Sequence, residues 1–600
     1  MLCAFERSYF RGVLYIGALF LCIPRMTETT LPSVNRWPDV PVLWAALLAA
    51  AATGCDQSLK PDPPGEGAAL VSAVYVCGNK FDLQNRSAVE LAVRYQVTST
   101  PEQGELLLPP RLSESTPSTT RLTTLQNGAL QLFSEGDGIA PVSNAGPPCQ
   151  PTIAHPEPQA TVGEWSLPFD WPVVAAHLHL LPNGDVLSWG RVGDPHVWHQ
   201  ETGAFTAAPS STEVFCSGHA FLPDGRLIVT GGHISEAHGL PDANIFDPAP
   251  QTWTPVAPMS RGRWYPTNTT LADGQVLTLA GRDEMSTPVE IPEVWTGAGW
   301  RALSGAGREL PYYPRAFVAP NGLVFYAGEL QQSAYLDPSG AGHWTSAAPS
   351  QYGRRDYGSA AMYSPGRVMI VGGSDPPDGA PTSTAEVIDL SSALPVWRYT
   401  ESMTYPRRQF NTTLLPDGSV LATGGTSAAG FTEPAGAVRA AEVWDPATES
   451  WRVLASGRVT RVYHSTTLLL PDGRVLHAGS GDGGGLPREL NAEIFSPPYL
   501  FRGPRPSILE APASVAYGQQ FFLATPEAPG VVRATLIRIG SVTHGFDQNQ
   551  RFLDLSFQRA PGGLTVAAPQ SGSFAPPGHY LLFILNDEGV PSTARIVRIS

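Results

Sequence analysis

A turn followed by a run of apolar residues recurs along the middle of the chain. Leu222–Gly232 shows the pattern in full, with a Pro-Asp-Gly turn, five residues that are mostly apolar and β-branched, and a Gly-Gly stop. Asp-Gly and Asn-Gly favour hairpin turns because both central positions of such a turn need a positive φ. The pattern predicts seven repeats between residues 160 and 500. Their turn glycines lie 41 to 55 residues apart, at Gly184, Gly225, Gly274, Gly322, Gly366, Gly418 and Gly473.

A second strand pattern follows within several of these repeats. Ala441–Pro446 precedes Trp451, and Ala243–Pro248 precedes Trp253 in the same way. A four-stranded unit of about 40–50 residues with a glycine pair and a later tryptophan resembles the kelch repeat. Seven such units predict a seven-bladed kelch-type β-propeller over residues 160–500.

Regular alternation of apolar and polar residues continues on both sides of the repeats. Over residues 501–600 the strands Thr535–Ile539 and Tyr580–Leu585, separated by Gly/Pro turns, predict an immunoglobulin-like β-sandwich. Over residues 68–155, the segments Val71–Val76 and Ala88–Val97 predict a small β-sandwich-like domain. The expected fold class is therefore all-β.

Two apolar runs precede these domains. Val13–Ile23 is too short to span a bilayer, and Val40–Thr53 has the length of a signal-peptide core. The small residues before Cys55 resemble a bacterial lipoprotein signal, which implies that Cys55 becomes the lipidated first residue. An ordinary cleaved signal is the alternative. Residues 1–55 are thus predicted to be a leader and 56–67 a polar, Pro-rich linker. The mature protein is expected to be exported, as an envelope lipoprotein or secreted, with a membrane contact only through this anchor.

Charge and cysteine content narrow the possible partners. The net charge of -15, without a basic cluster, argues against a nucleic-acid partner. Disulfides persist outside the cytosol, and Cys77 and Cys149 bracket the small N-terminal domain, so a disulfide is predicted between them. Cys216 is left over, and an odd cysteine in an exported protein indicates a reactive or otherwise used thiol.

Residues whose side chains could bind a metal or take part in catalysis lie just before the repeat strands. Cys216, Tyr265 and His464 each stand eight residues before the aspartate of the following turn. Equal offsets in equivalent strands predict that all three lie at a similar height in the propeller, near its axial mouth. Tyr463 directly precedes His464, and neighbours can converge only where the strand is irregular. A phenol and an imidazole together suit copper better than magnesium or calcium.

These motifs resemble those of the copper radical oxidases, the galactose oxidase and glyoxal oxidase family, over residues 160–600. The resemblance is carried by Phe215-Cys216, Arg263-Trp264-Tyr265, Val462–Ser465, Thr543-His544 with Gln550-Arg551, Pro576–Tyr580 and Gly589–Ser592. It implies one mononuclear copper ion with Tyr265, Tyr463, His464 and His544 as ligands. It also implies a thioether between Cys216 and the ring of Tyr265, which would carry a radical.

The implied reaction is oxidation of a primary alcohol or small aldehyde by O₂, with release of H₂O₂. Copper supplies one redox equivalent and the tyrosyl radical supplies the other. In the family the axial tyrosine takes the substrate's hydroxyl proton, which implies this role for Tyr463. The substrate is expected to be a small molecule or a glycan.

The sequence departs from galactose oxidase at one place. A tryptophan follows the glycine pair of that family's tyrosine-bearing blade, whereas Gly281–Glu284 holds no aromatic residue here. Trp264 is therefore expected to shield the Tyr265 ring, and galactose is not favoured as substrate. The other pre-strand positions, expected to line the substrate mouth with Trp264, are Tyr313, Arg315, Tyr357 and Gln409. The remaining histidines His177, His179, His219, His233 and His477 are expected to be structural.

The rival hypothesis is a propeller without copper or catalysis. Such a protein would bind a glycan or another protein at the cell surface. Replacement of a single metal ligand would have favoured this alternative, and all the ligand positions are present.

Overall fold

The computed structural model describes residues 70–77, 80–98, 100, 102–111, 118–123, 129–134, 137–142 and 159–600. The predicted leader 1–55 with Cys55, the linker 56–67 and Cys149 lie outside these residues. The Cys77–Cys149 disulfide and the domain boundaries stay predictions. Within the described ranges, no helix has the length and apolar character that crossing a membrane requires.

The described part of residues 70–142 forms two antiparallel sheets. Strand order is β1-β2-β5 in one sheet and β4-β3-β6-β7 in the other. Val71 and Leu83 of the first sheet pack in one core with Val93, Leu108 and Leu132 of the second, which is the arrangement of a small sandwich. The strands are β1 Val71–Cys77, β2 Lys80–Asn85, β3 Leu91–Val97, β4 Gln103–Leu108, β5 Ser118–Thr123, β6 Leu130–Ser134 and β7 Asp137–Val142.

The repeat region begins with one short helix and short strands. They are α1 Gln159–Val162, β8 Glu164–Trp165, β9 Phe169–Asp170, β10 His177–Leu180, β11 Val186–Trp189, β12 His196–Trp198, β13 Phe205–Ala207, β14 Gly218–Phe221, β15 Leu227–Thr230, β16 His233–Ser235, β17 His238–Gly239, β18 Ala243–Asp247, β19 Thr252–Val256, β20 Thr267–Thr270, β21 Val276–Leu279, β22 Glu293–Trp295 and β23 Trp300–Ala302.

The region continues with strands of the same kind. They are β24 Arg315–Val318, β25 Val324–Gly328, β26 Gln332–Asp337, β27 His343–Pro349, β28 Ser359–Ser364, β29 Arg367–Val371, β30 Ala385–Asp389, β31 Arg398–Thr400, β32 Arg408–Leu414, β33 Val420–Thr426, β34 Ala440–Asp445, β35 Ser450–Ser456, β36 Ser465–Leu469, β37 Val475–Gly479 and β38 Asn491–Ser496, with 3₁₀ turns at Pro434–Gly436 and Pro498–Phe501.

Between residues 159 and 500, beside the two-stranded hairpin β16-β17, seven larger antiparallel sheets follow one another. Five of them are built from consecutive repeat strands, as in β20-β21-β22-β23. The first sheet, β13-β12-β11-β10, is extended by β42 Ser541–Thr543 and β43 Phe546–Asp547, and the last, β36-β37-β38, by β8. The first strands of neighbouring sheets contact one another, from β14 through β20, β24, β28, β32 and β36 to β10. The predicted all-β class is confirmed, and the count of seven blades stays a prediction.

The C-terminal region forms two further sheets over a core of its own. They are ordered β39-β48-β47-β41-β44 and β40-β46-β45, and Leu523, Leu536, Leu564 and Leu582 pack between them. The strands are β39 Ser514–Val515, β40 Gln520–Ala524, β41 Val531–Arg538, β44 Phe552–Leu555, β45 Phe557–Ala560, β46 Gly563–Ala567, β47 Gly578–Asn586 and β48 Arg595–Ile599, with a 3₁₀ turn at Ala528–Gly530. Between β41 and β44 the chain leaves this sandwich to add β42 beside β10, where Thr543 pairs with His177.

A buried ion pair recurs in four of the repeat sheets. Just before the first strand an arginine reaches a glutamate in the third strand, as Arg407 does to Glu442 at 3.0 Å, with both side chains fully buried. Arg407 also donates to the carbonyls of Gly424 and Ala440, and Glu442 accepts the backbone N–H of Thr404. The equivalent pairs are Arg263–Glu293 at 2.9 Å, Arg355–Glu386 at 2.7 Å and Arg461–Glu493 at 3.6 Å. Each pair therefore ties the chain entering a sheet to the middle of that sheet.

We expect Arg407→Leu to destabilise the fold strongly. The substitution leaves the Glu442 carboxylate buried without its counter-ion, which costs about 3–5 kcal/mol in the free energy of unfolding. Denaturant unfolding followed by tryptophan fluorescence measures the change.

The matched control is Arg398→Leu, which breaks the exposed pair between Arg398 and Glu449. That loss should cost only about 0–1 kcal/mol. Equal effects of the two substitutions would contradict the role given to the buried pairs.

Candidate metal centre

Six residues at or just before the start of the first strands share an unusual backbone conformation. All have a positive φ, between 44° and 66°, which is uncommon outside glycine and concentrates at functional sites. The six residues are Cys216, Tyr265, Tyr313, Tyr357, Gln409 and His464. Backbone bonds link neighbours in the series: Tyr265 N–H donates to the Cys216 carbonyl at 2.9 Å, and Tyr313 N–H to that of Tyr265 at 3.0 Å. Equivalent positions therefore lie side by side, as the equal offsets predict.

Four donor side chains converge on one point beside this series. The phenol oxygens of Tyr265 and Tyr463 are 2.6 Å apart, and His544 Nε2 is 2.8 Å from the Tyr265 oxygen. The ring of His464 lies 3.8 Å from that of Tyr463 and 4.8 Å from that of His544, measured between centroids. His464 has φ 66° and His544 has φ 47°. This break in strand geometry lets the neighbours Tyr463 and His464 face the same point.

The outer nitrogens of both histidines are held by hydrogen bonds. His464 Nδ1 donates to the Gly481 carbonyl at 2.7 Å, and His544 Nδ1 donates to Thr543 Oγ1 at 2.7 Å. The Thr543 hydroxyl in turn donates to the Ala176 carbonyl at 2.8 Å. These bonds fix the tautomer in which each Nε2 carries a lone pair. His464 Nε2 is buried and has no hydrogen-bond partner among the described residues.

Burial sets the protonation states of the four donors. It lowers the pKa of His464 to about 4 and holds the pKa of His544 well below its usual value, so both imidazoles are neutral ligands at neutral pH. Burial, with the nearby Tyr463, raises the pKa of Tyr265 well above its usual value, and burial likewise raises the pKa of Tyr463. Both phenols therefore need a cation beside them to ionise.

This donor set fits copper. Two imidazole nitrogens and two phenol oxygens suit Cu(II) better than Mg²⁺ or Ca²⁺, which prefer carboxylate, carbonyl and water oxygens. Across the described ranges, no group of three or more His, Cys, Asp or Glu side chains could hold a metal ion. A metal at this point would therefore depend on the tyrosines Tyr265 and Tyr463 as well as on His464 and His544.

Cys216 and Trp264 surround the Tyr265 ring. The Cys216 thiol is free and buried, and it belongs to one apolar cluster with Trp264, Tyr265 and Phe215. Burial raises the pKa of this thiol well above its usual value, while hydrogen bonds to Tyr265 and Trp264 lower it. The Trp264 indole stacks on Tyr265 with centroids 3.7 Å apart and planes at 5°. Trp264 thus covers the ring face that it was expected to shield.

A cavity of about 540 Å³ opens onto Tyr265 and His544. Of the residues expected at the mouth, Tyr313, Arg315 and Tyr357 line this cavity, whereas Trp264 and Gln409 do not. The Gln409 amide instead donates to the Phe431 carbonyl at 2.6 Å. Gln409 therefore contacts the cavity wall through Phe431, which lines it.

Among the cavity residues that the sequence did not indicate, Phe431, Tyr312 and Arg282 lie beside the tyrosines of the site. Phe431 lies edge-on to Tyr463 with centroids 4.9 Å apart, and Tyr312 lies edge-on to Tyr265 at 5.4 Å. Arg282 donates through Nε to the Tyr312 hydroxyl at 2.7 Å and occupies the place without an aromatic residue after Gly281. Phe431 belongs to the long connection between β33 and β34, where no repeat pattern marks a position. Tyr312 could have been suspected from its place beside Tyr313.

Three of the histidines expected to be structural, His177, His179 and His219, form a hydrogen-bonded cluster next to Cys216. His177 Nε2 accepts the backbone N–H of Cys216 at 3.2 Å, and His177 Nδ1 is 3.1 Å from His219 Nε2. His179 and His219 share the Ser541 hydroxyl, at 2.9 and 2.7 Å. These contacts connect the Cys216 turn to β42 and hence to the His544 loop.

Comparison with known proteins gives two family models that match this chain. The model for the glyoxal oxidase N-terminus matches residues 380–499, and the model for the galactose oxidase-like early set domain matches residues 505–599.

The chain is also similar to several proteins that are named as oxidases. Galactose oxidase from Gibberella zeae is 29% identical over 496 residues, covering 74% of this chain and 72% of that protein. Aldehyde oxidase GLOX from Vitis pseudoreticulata is 31% identical over 445 residues, covering 65% of this chain and 82% of that protein. The solved structure of a fungal alcohol oxidase of the AA5 family, in complex with copper, has a similar fold. Its TM-score is 0.68 at 24% identity, covering 73% of this chain and 100% of that one.

We expect Thr543→Val to weaken copper binding by about 10- to 100-fold, because it removes the partner that orients the His544 ring. Isothermal titration of the metal-free chain with Cu(II) measures the affinity. Thr535→Val is the control, since its buried hydroxyl donates to the Pro416 carbonyl far from the donors. Equal affinities of the two variants would show that Thr543 does not orient the ligand.

Proposed function

Because the chain belongs to the copper radical oxidase family, the family of galactose oxidase and glyoxal oxidase, we propose that this copper-dependent oxidase converts a primary alcohol or small aldehyde. The reaction consumes O₂ and releases H₂O₂. One observation carries the proposal: the Tyr265 oxygen lies 2.6 Å from the Tyr463 oxygen and 2.8 Å from His544 Nε2, the His464 ring stacks beside Tyr463, and Tyr265 and His544 line an open cavity. A cavity of about 540 Å³ is large enough for a small substrate or the end of a glycan.

The proposed site has two redox functions, copper binding and the formation of a tyrosyl radical. Tyr265, Tyr463, His464 and His544 would hold copper, which when bound supplies one of the two oxidising equivalents that the reaction needs. The Tyr265 ring supplies the other as a radical. We propose that Cys216 modifies this ring through a thioether. Its sulfur bonds to a ring carbon, the thiol and the ring each lose one hydrogen, and O₂ accepts both as H₂O₂.

Two neighbouring tyrosine oxygens would remove the proton and the hydrogen atom from the substrate. The Tyr463 oxygen takes the proton of the substrate hydroxyl, and the Tyr265 oxygen, 2.6 Å away, takes a hydrogen atom from the substrate carbon. Burial raises the pKa of Tyr463, which makes its phenolate a strong base. The net change is an alcohol and O₂ giving an aldehyde and H₂O₂. An aldehyde reacts in the same way as its hydrate and gives an acid.

The cavity wall suggests how a substrate is received. Arg315 is buried beside the donors and donates to the Gly358 carbonyl at 2.6 Å, while its Nε has no partner among the described residues. Arg354 is paired with Glu329, and Arg408 with Asp356. Because Glu329 and Asp356 are neutralised by these arginines, we propose a polar substrate with several hydroxyl groups. We also propose that the protein is exported, on the evidence of the signal-like segment before Cys55.

We expect peptide mass spectrometry to find a Cys216–Tyr265 crosslink after copper loading in air. The two tryptic peptides should stay joined under reductant, and Cys216→Ser should abolish the joined species. Separate peptides in a copper-bound protein would rule out the radical mechanism. The chain would then be tested as a propeller that binds a glycan or a protein at the cell surface.

We expect Tyr463→Phe to lower kcat by about 10²- to 10⁴-fold, because it removes the base that takes the hydroxyl proton. Peroxide release on a panel of primary alcohols and aldehydes measures the rate. Tyr335→Phe, a half-buried tyrosine in β26, is the control and should keep the wild-type rate. Activity in Tyr463→Phe equal to the control would assign proton removal to another group.

A further inference from the structure

The indole over Tyr265 is held by a titratable side chain. Trp264 Nε1 donates to His233 Nδ1 at 3.2 Å. The tryptophans in the outer strands of neighbouring sheets have a different kind of hydrogen-bond acceptor. Trp253, Trp300 and Trp344 donate to backbone carbonyls at 2.7 to 2.9 Å. A carbonyl accepts at any pH, whereas an imidazole nitrogen accepts only while it is unprotonated.

We propose that His233 is a positioning residue for the radical site. Its neutral imidazole keeps the Trp264 indole flat on the Tyr265 ring, and its protonation releases the indole. This role rests on the proposed function, since it assigns the stacked indole the task of keeping water and reductants from the oxidised ring.

The backbone around His233 keeps the imidazole in place. His233 begins β16, which pairs with β17 outside the four-stranded sheet, with His233 opposite Gly239. A Cβ on Gly239 would lie 2.1 Å from the backbone nitrogen of Trp264, so the hairpin is seated directly on the chain that carries the indole. The Phe215 ring packs edge-on to the imidazole with centroids 5.4 Å apart. His233 is thus held between Phe215 and Trp264.

Burial and one nearby positive charge favour the neutral form of the His233 imidazole. Burial and then the positive charge of Arg191 lower the pKa of His233. Glu236 lies at the turn of the same hairpin and acts on Cys216 and Tyr463, where its charge raises the pKa of both groups. On the paired strand, His238 Nδ1 is 2.7 Å from the Glu236 carbonyl and 3.1 Å from Ser235 Oγ. His233 therefore takes up a proton only below the usual pKa of histidine, and Nδ1 then has no lone pair for the indole.

Fluorine NMR of the full chain labelled with 5-fluorotryptophan, without added copper, tests the contact directly. Trp264→Phe assigns the Trp264 signal. In the wild type this signal should shift as the pH falls through the pKa of His233. His233→Leu should shift it at every pH, because the acceptor is gone. His233→Asn, which keeps an acceptor near the Nδ1 position, should retain the wild-type position at neutral pH and lose the response to pH.

His238→Leu is the matched control, since it removes the other histidine of the hairpin and leaves the contact intact. Its Trp264 signal should behave as in the wild type. A Trp264 signal in His233→Leu that coincides with the wild type at every pH overturns the proposal.

A second measurement follows the radical in copper-loaded protein oxidised with ferricyanide. With no substrate present, His233→Leu should shorten the half-life of the radical absorbance about fivefold, the effect of one lost hydrogen bond. His233→Asn should restore it, and in a Trp264→Phe background His233→Leu should add nothing. An equal shortening in that background would overturn the role, because His233 would then act without the indole. A wild type that gives no radical would refute the proposed function, while the fluorine shifts would still decide the role of His233.

Discussion

The buried arginine–glutamate pairs are the constraint on which the site depends. Removing two charges from water is costly unless they meet each other and further hydrogen bonds, and each pair here satisfies that demand with backbone groups from two connections. Arg263 stands two residues before Tyr265, Arg355 two before Tyr357, and Arg461 three before His464. Each ion pair therefore joins the third strand of a sheet to the segment that precedes its first strand, and holds that segment in position. It also supports the positive φ of the residue that follows.

The strained residues gain from this support. A tyrosine or histidine in the left-handed region is held there only when its surroundings over-determine its position. The lateral bonds from Tyr313 to Tyr265 and from Tyr265 to Cys216 provide part of that restraint. The result is a preorganised cluster in which the oxygens of Tyr265 and Tyr463 and the Nε2 atom of His544 already lie within hydrogen-bond distance of one another. Little rearrangement is then needed to bind a metal.

Local chemistry explains how much of this could be predicted from the sequence. Asp-Gly turns and apolar runs act over a few residues, so the repeats at Gly225 and Gly473 are visible in the chain alone. Equal offsets also placed Cys216, Tyr265 and His464 at one level. His544 was found only by resemblance, because no periodicity brings a loop of the C-terminal sandwich to the repeat sheets. The direction of the Gln409 side chain and the place of Phe431 depend on a loop packed against them, which no local pattern encodes.

The strand that directly precedes His544 has a consequence for the order of events during synthesis. β42 comes from residues 541–543, yet it completes the first repeat sheet beside β10, which begins at residue 177. The nascent chain can therefore form most of its sheets while it still lacks His544, one of the four proposed copper ligands. With that ligand set, a redox-active ion would meet a complete coordination sphere only after nearly the whole polypeptide has been made. Chain order thus separates folding from metal acquisition in time.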